Sequence, residues 1–437
     1  MHAKLILCLT SSLLMGAAGT LTAQNNKTDR LLDKTITQVT TTKLLTTLSA
    51  DNMEGRKIGT PGIRKAAAVI AQQFKLAGLQ PAEGDSGYYQ NFTMVNSHIL
   101  SKSVQINGQP FADSLSAIIS TQPAIKADDK AGYEMLTPKD QQEVLSIITS
   151  RRSAKTNAVI VLPTKFARLL KIAPRLQKSQ FQSKFSTILL CTDEPVNSFE
   201  ISATNQLSLM HMANIVGILP GKTKPNELVI FSGHYDHLGV DPTNKVDSIY
   251  NGANDDASGT TAVMQLAKYY AKLGNNARTL VFAAFTAEEE GGFGSTYFSH
   301  QFDPEKVMAM FNIEMIGTQS KWGENTAYIT GYEKTDMGEI LQKNLAGTGF
   351  TFHPDPYTDQ HLFYRSDNAT LARQGVPAHT ISTSKMDAEP NYHKVSDEIN
   401  TLDLTNMNRI IRCIALSARS IVNGADTPSR VNTAELR

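Results

Sequence analysis

The sequence predicts an α/β fold built on a largely parallel sheet covered on both faces, and three observations predict it. Continuous apolar runs at 214–219, 228–231, 280–285, 307–313 and 378–381 read as buried strands. Helical segments lie between them: over 258–273, Val263, Leu266, Ala267 and Tyr270 fall on one face. Caps and stops punctuate the helices, with Ser258 placed to cap the start of that segment and Gly274 to stop it, and Gly78 to end a second helix over 63–77. Strand–helix–strand alternation of this kind is the pattern of a parallel sheet covered by helices.

Taken in order, the chain opens with an address. Lys4 precedes a largely apolar stretch over 5–14, and Ala23 closes the segment before polar Gln24, Asn25 and Asn26. This reads as a signal peptide over 1–23, removed on export to the periplasm or the exterior. The stretch is interrupted by Thr10, Ser11 and Ser12 and falls short of the ~20 apolar residues that a spanning helix needs, so no stable membrane span is expected. Residues 24–98 form an N-terminal part, polar and then helical. Residues 99–210 are rich in Lys, Ser, Gln and Thr and carry no cluster of chemically active side chains, which reads as an inserted α+β domain. Residues 211–430 hold the strand–helix alternation, and the tail beyond Asn423 is polar and expected to fray.

Charge and cysteine usage narrow the chemistry. With 42 Lys and Arg against 41 Asp and Glu, the net charge is +1, which excludes the concentrated basic field that nucleic acid requires. Once Cys8 leaves with the leader, Cys191 and Cys413 remain, and export leaves both a disulfide and two buried thiols open. No Cys-x-x-Cys pair is present, so any metal must be held by His and carboxylates.

Such residues gather where the apolar runs end, the edge at which open α/β sheets place their sites. In Ser232-Gly233-His234-Tyr235-Asp236-His237, His234 can ligate a metal while Asp236 fixes its tautomer. Asn254-Asp255-Asp256 sits in a turn entering a helix, where one carboxylate can bridge two cations. Glu288-Glu289-Glu290 follows the run ending at Phe285; adjacent side chains diverge, so one can bind metal while its neighbour acts as a base. Glu314 lies inside an apolar segment, where a buried carboxylate needs a partner. A late His393 follows Tyr392. Any one of these segments is common in unrelated chains; their joint occurrence, each at the end of a buried run, is not.

In this set and order, the segments resemble those of the M28 family of co-catalytic zinc peptidases. The likeness covers the C-terminal half and reaches the N-terminal part through Met53-Glu54-Gly55-Arg56, Gly59-Thr60-Pro61-Gly62 and Tyr89-Gln90-Asn91-Phe92. It implies a three-layer α/β/α, zinc-exopeptidase-like fold with a mixed, mostly parallel sheet. It also implies two zinc ions per chain, with Asp255 bridging, Glu289 and His393 completing one site, and His234 and Glu314 the other. Counting back from Gly294-Ser295 makes Glu288 the general base and Glu290 a spectator, and Asp236 would orient His234. The implied reaction is hydrolysis of the N-terminal bond of peptides or proteins, with Asp367 beside the substrate amine and Tyr364 near the oxyanion.

Two positions depart from the family pattern. Glu314 stands where Asp is usual, and Asn368 follows Ser366-Asp367 where His is usual. A carboxypeptidase, a glutaminyl-cyclase-like enzyme and a non-catalytic binding protein of the same fold are the alternatives. Serine-hydrolase Gly-x-Ser-x-Gly and helical His-Glu-x-x-His motifs are missing.

Overall fold

The computed structural model describes residues 30–85, 87–151 and 155–436. The leader expected over 1–23, with Cys8, lies outside them. Contacts divide the chain into two units, Met1–Asn91 with Ala213–Arg437, and Phe92–Met212.

The first unit carries the sheet. Its strands are β1 (Phe199–Leu219, of which 213–219 lie in this unit), β2 (Lys224–His234), β3 (Arg278–Phe285), β4 (Val307–Ile313), β5 (Thr326–Ile329), β6 (Thr351–Pro354) and β7 (Ala378–Ser382). They lie in the order β6-β5-β7-β4-β2-β3-β1. The four strands β7, β4, β2 and β3 pair in parallel, whereas β1 and β5 run antiparallel to β3 and β7, so the sheet is mixed.

Side-chain alternation along each strand builds two cores. Phe231 of β2, Phe282 of β3 and Phe311 of β4 point to one face, while Ile230, Val281 and Met310 point to the other. On the first face the Phe231 ring lies 5.5 Å from Phe282, 4.9 Å from Phe311 and 5.4 Å from Tyr270. Removing a fully buried ring of this kind typically costs ~3–5 kcal/mol. Helices α1 (Gln38–Leu48), α2 (Pro61–Ala77), α3 (Gly259–Leu273) and α4 (Leu404–Ser417) contribute to that face, and Phe298, Leu371 and Val376 cover the other. The result is the three-layer arrangement expected.

Both helical stops are found: Gly78 (φ 80°) and Gly274 (φ 57°) end α2 and α3 in the left-handed region. The cap expected at Ser258 is replaced. Ser258 donates its hydroxyl to the Asn254 carbonyl, and Asp256 accepts from Gly259 N at 2.9 Å. The tail beyond Asn423 does not fray: Val431 is buried, its N–H donates to Gly375, and Arg430 donates to Val307 and Pro304.

The second unit, where the sequence suggests an insert over 99–210, contains a four-stranded sheet in the order Ser116–Ser120, Ser186–Cys191, Ala158–Leu162, Glu134–Leu136. Along Ser186–Cys191, Ile188 and Leu190 enter one apolar cluster and Leu189 and Cys191 another, the second closed by Val144 and Ile148 of the helix Gln141–Ser150. Cys191 and Cys413 are both free, buried thiols. Among the described residues no helix is long and apolar enough to cross a membrane.

Candidate metal centre

Three adjacent parallel strands deliver the site. β2 ends at His234, which is in register with Phe285 at the end of β3, and β4 ends one residue before Glu314. Beyond the strands the backbone turns sharply. Ala287, Met315 and His393 all have positive φ, at 57°, 53° and 55°, a conformation that costs non-glycine residues roughly 1–2 kcal/mol. Asp256 ties the strand ends together: its carboxylate accepts from His234 N at 3.2 Å, Gly259 N at 2.9 Å and Met315 N at 3.1 Å. Close approach also requires Gly259, since a Cβ there would lie 2.0 Å from the Ile313 carbonyl oxygen.

The proposed ligands converge on Asp255. Its Oδ1 is 3.2 Å from His234 Nε2, and its Oδ2 is 3.3 Å from His393 Nε2. His393 Nε2 is also 3.1 Å from Glu289 Oε2. Donors bound tetrahedrally at ~2.05 Å from one zinc stand about 3.3 Å apart, so these spacings suit ligands of a common ion. His234 Nε2 is buried and no aligned hydrogen bond reaches it, as a metal-directed nitrogen requires. Glu314 lines the same cavity, of about 270 Å³, together with Asp255, Glu288, Glu289 and His393. Its carboxylate accepts from the Ser366 hydroxyl. A donor set of imidazole and carboxylate without thiolate fits zinc.

Asp236 serves the site differently from the sequence expectation. His234 Nδ1 lies 3.2 Å from the Asp236 carbonyl oxygen and 3.7 Å from its carboxylate. That carboxylate instead accepts from the backbone N–H of Glu288 at 3.1 Å and of Glu289 at 3.3 Å, fixing the loop that carries both. Glu290 is exposed. Asp367 is 1% exposed and stands behind the wall formed by Ser366 rather than on it. Tyr364 packs against the core beside Phe363 and is not among the lining residues. Two tyrosines line the cavity: Tyr328, whose hydroxyl donates to the Ser384 carbonyl oxygen, and Tyr392, stacked on His393 with ring centroids 3.9 Å apart.

Three further residues belong to the site. His237 Nδ1 is 2.8 Å from Glu289 Oε1 and 3.8 Å from Asp255 Oδ2, and these three residues bring ligand atoms within 4.8 Å of one another. Its position in the His-Tyr-Asp-His run was visible, but no spacing rule distinguished it. Arg56, fully buried, donates to the carbonyl oxygens of Leu48, Tyr235, Asn251, Gly252 and Asp255. Asp397 accepts from the N–H groups of Asn254 and Asp255.

Burial sets the electrostatics. Desolvation, with the Asp255 charge nearby, pushes the Glu314 carboxyl up to about 7, and desolvation beside Glu314 raises Glu288 well above the usual range. Burial also lifts Asp367 to about 6, against the pull of His234 and Ser295. Desolvation acts in the same sense on Glu289, but hydrogen bonds from His237 and His393 override it and hold the group at about 2. Bonds to Asp255 and Glu289 raise His393 to about 10. So many carboxylates in a buried space call for cations.

Comparison with known proteins gives the same picture. The model of peptidase family M28 matches residues 214–418. A probable zinc metalloprotease of Pyrenophora teres f. teres is 34% identical over 111 residues, which are 25% of this chain and 23% of that protein. Aminopeptidase Y of Saccharomyces cerevisiae is 27% identical over 213 residues, 45% of this chain and 37% of that protein. The chain thus spans well under half the length of either curated relative. Two solved structures share the fold. An aminopeptidase from Aneurinibacillus sp. strain AM-1 has a TM-score of 0.53 and 15% identity, covering 94% of this chain and 98% of that one. A zinc aminopeptidase from Bacillus subtilis also has a TM-score of 0.53 and 15% identity, covering 91% and 98%. Residues 214–418, the stretch that matches the model of peptidase family M28, hold every proposed metal ligand.

Proposed function

We propose that the chain is an exported, zinc-dependent aminopeptidase that hydrolyses the N-terminal bond of peptides. The carrying observation is the position of Asp255, whose two carboxylate oxygens face different histidines, His234 and His393. Asp255, Glu289 and His393 would hold one zinc, and Asp255, His234 and Glu314 a second. Zinc supplies a Lewis acid and brings the pKa of bound water down to ~7.

The chain's own residues do the rest. Glu288 lines the cavity while its neighbour Glu289 is engaged by two histidines, so Glu288 is the carboxylate free to take a proton from the attacking water and pass it to the leaving amine. Tyr392, on the cavity wall beside His393, would donate its hydroxyl to the developing oxyanion, a role that the family resemblance suggests for Tyr364. Asp367, just behind Ser366, adds negative potential that favours a free α-amino group without touching it.

A leucine-terminated peptide and its N-acetylated twin test the reading, each with zinc and after chelation. Cleavage of the free-amine peptide alone, lost on chelation, is expected. Equal cleavage of both would move a carboxypeptidase or endopeptidase reading to the front. Cleavage of neither would leave a binding role.

A further inference from the structure

The cavity carries one charge that neither metal binding nor peptide hydrolysis uses. Asp255, Glu288, Glu289 and Glu314 are assigned to ions and proton transfer. Among the described lining residues Arg365 alone bears a permanent positive charge. It is exposed, and its guanidinium has no hydrogen bond or ion pair among the described residues. It shares the cavity lining with Tyr392, which feels its charge. An unpaired guanidinium at a cavity wall offers a planar fork that matches a carboxylate through two parallel hydrogen bonds. The same lining includes Tyr328, Leu362 and Met386, whose apolar surface suits an aliphatic side chain.

We propose that Arg365 anchors a carboxylate of the substrate, and that the enzyme therefore acts on short peptides that present one close to the scissile bond. The cavity, at about 270 Å³, lies just below the ~300–1,000 Å³ typical of small-molecule sites. A dipeptide places its own α-carboxylate within reach of that wall, so a dipeptide is the favoured source. An acidic first side chain presents the same chemistry. The proposal rests on the aminopeptidase reading for which bond is broken, but not for binding.

Binding is therefore tested apart from catalysis. The zinc-reconstituted chain is titrated calorimetrically with the hydroxyethylene isostere of Leu-Leu as free acid and as C-terminal amide. The wild type should bind the acid at least tenfold more tightly, Arg365→Ala should bring the ratio close to one, and Arg365→Lys should fall between. An amide isostere beginning with Glu, set against the Leu amide, separates the two sources. A preference for it that disappears in Arg365→Ala supports the anchor and places the carboxylate on the first side chain. A wild-type ratio near one in both comparisons, or a ratio unchanged in Arg365→Ala, overturns the proposal. Hydrolysis of unmodified Leu-Leu is scored separately. If it is absent while the binding ratio holds, the aminopeptidase reading fails and the anchor stands.

Discussion

Arg56 donates from Nη2 to the Asp255 carbonyl oxygen at 3.3 Å across 199 residues of sequence, so the proposed bridging ligand is held from beneath by the N-terminal part of the chain. The same guanidinium takes the carbonyls of Asn251 and Gly252 in that loop and of Tyr235 beside His234. It fixes the backbone on both sides of the site and contributes a buried positive charge among Asp397, Asp255 and Asp236.

Replacing it leaves several buried carbonyls without donors, each costing ~1–3 kcal/mol. Arg56→Met is expected to lose at least about 3 kcal/mol of unfolding free energy, with Arg56→Lys intermediate, and both should bind zinc more weakly in competition with a chromogenic chelator. Urea denaturation of the chelated proteins separates the two effects. A variant with full stability and unchanged zinc affinity would show that these contacts do not matter.

Glu288 and Glu289 are neighbours with opposite environments, which predicts opposite losses. Glu288→Gln should keep its metal, measured by elemental analysis, and lose on the order of 10²–10⁴ in kcat as a missing general base does. Glu289→Gln should lose metal, because the carboxylate shared by His237 and His393 is gone. If the two variants retain metal equally, the assignment of base and ligand is wrong.

The contrast shows what was legible beforehand. Buried runs with His and carboxylates at their ends are local patterns, so the segments carrying His234, Asp255, Glu289 and Glu314 could be picked out before any fold was known, while the choice of Asp255 and Glu289 within theirs came from the family resemblance. Asp256 could not be placed, because its role comes from two strand ends and a helix start meeting at one carboxylate. Arg56 acts on loops that begin 179 residues away, and nothing in Met-Glu-Gly-Arg says which carbonyls it will meet. Phe363 and Tyr364 stood near the Ser-Asp segment in sequence, but the short helix Leu362–Tyr364 buries Phe363 and leaves Tyr364 half-buried against the core, off the cavity wall.

The two tyrosines can therefore be told apart by kinetics. Tyr392→Phe removes the hydroxyl on the cavity wall and should lower kcat about 10²-fold, the loss typical of one oxyanion donor, with zinc content and KM little changed. Tyr364→Phe should change kcat less than about twofold, since its half-buried ring packs against the core and does not line the cavity. The reverse pattern would restore Tyr364 to the role that the resemblance suggested.

Thiol titration tests both the cysteine state and the leader. Cys413 is buried, and desolvation pushes its thiol up to about 12, so it should be inert toward Ellman's reagent in the native protein. Cys191 is buried in the second unit. The folded protein should release almost no thionitrobenzoate. The denatured, unreduced protein should titrate two thiols after leader removal and three if Cys8 is retained. Zero thiols in the denatured, leader-free protein would mean that the two cysteines had paired.

The last prediction concerns pH and follows from the crowding of acids around the site. In the metal-free protein Glu314 sits at about 7 instead of 4.5 and Asp397 at about 6 instead of 3.8, both because burial disfavours the charge. A carboxyl raised on folding keeps its proton longer in the native than in the unfolded chain. The native state then binds more protons between the two values, and stability falls as pH rises through that window, by at most about 1.4 kcal/mol per unit and group. His393, raised from 6.5 to about 10 by Asp255 and Glu289, acts in the same direction. Its contribution is complete below 6.5 and is lost as pH climbs toward 10. Glu289, held at about 2, acts oppositely, but only as pH falls below its ordinary 4.5. The chelated protein should therefore melt highest near pH 5 and progressively lower toward pH 8. Zinc competes with the same protons, so adding it should raise Tm more at pH 8 than at pH 5. Differential scanning fluorimetry across this range, with chelator and with zinc, measures both slopes. A chelated protein that gains stability from pH 5 to 8 would sink the account of the acids as a cluster awaiting cations.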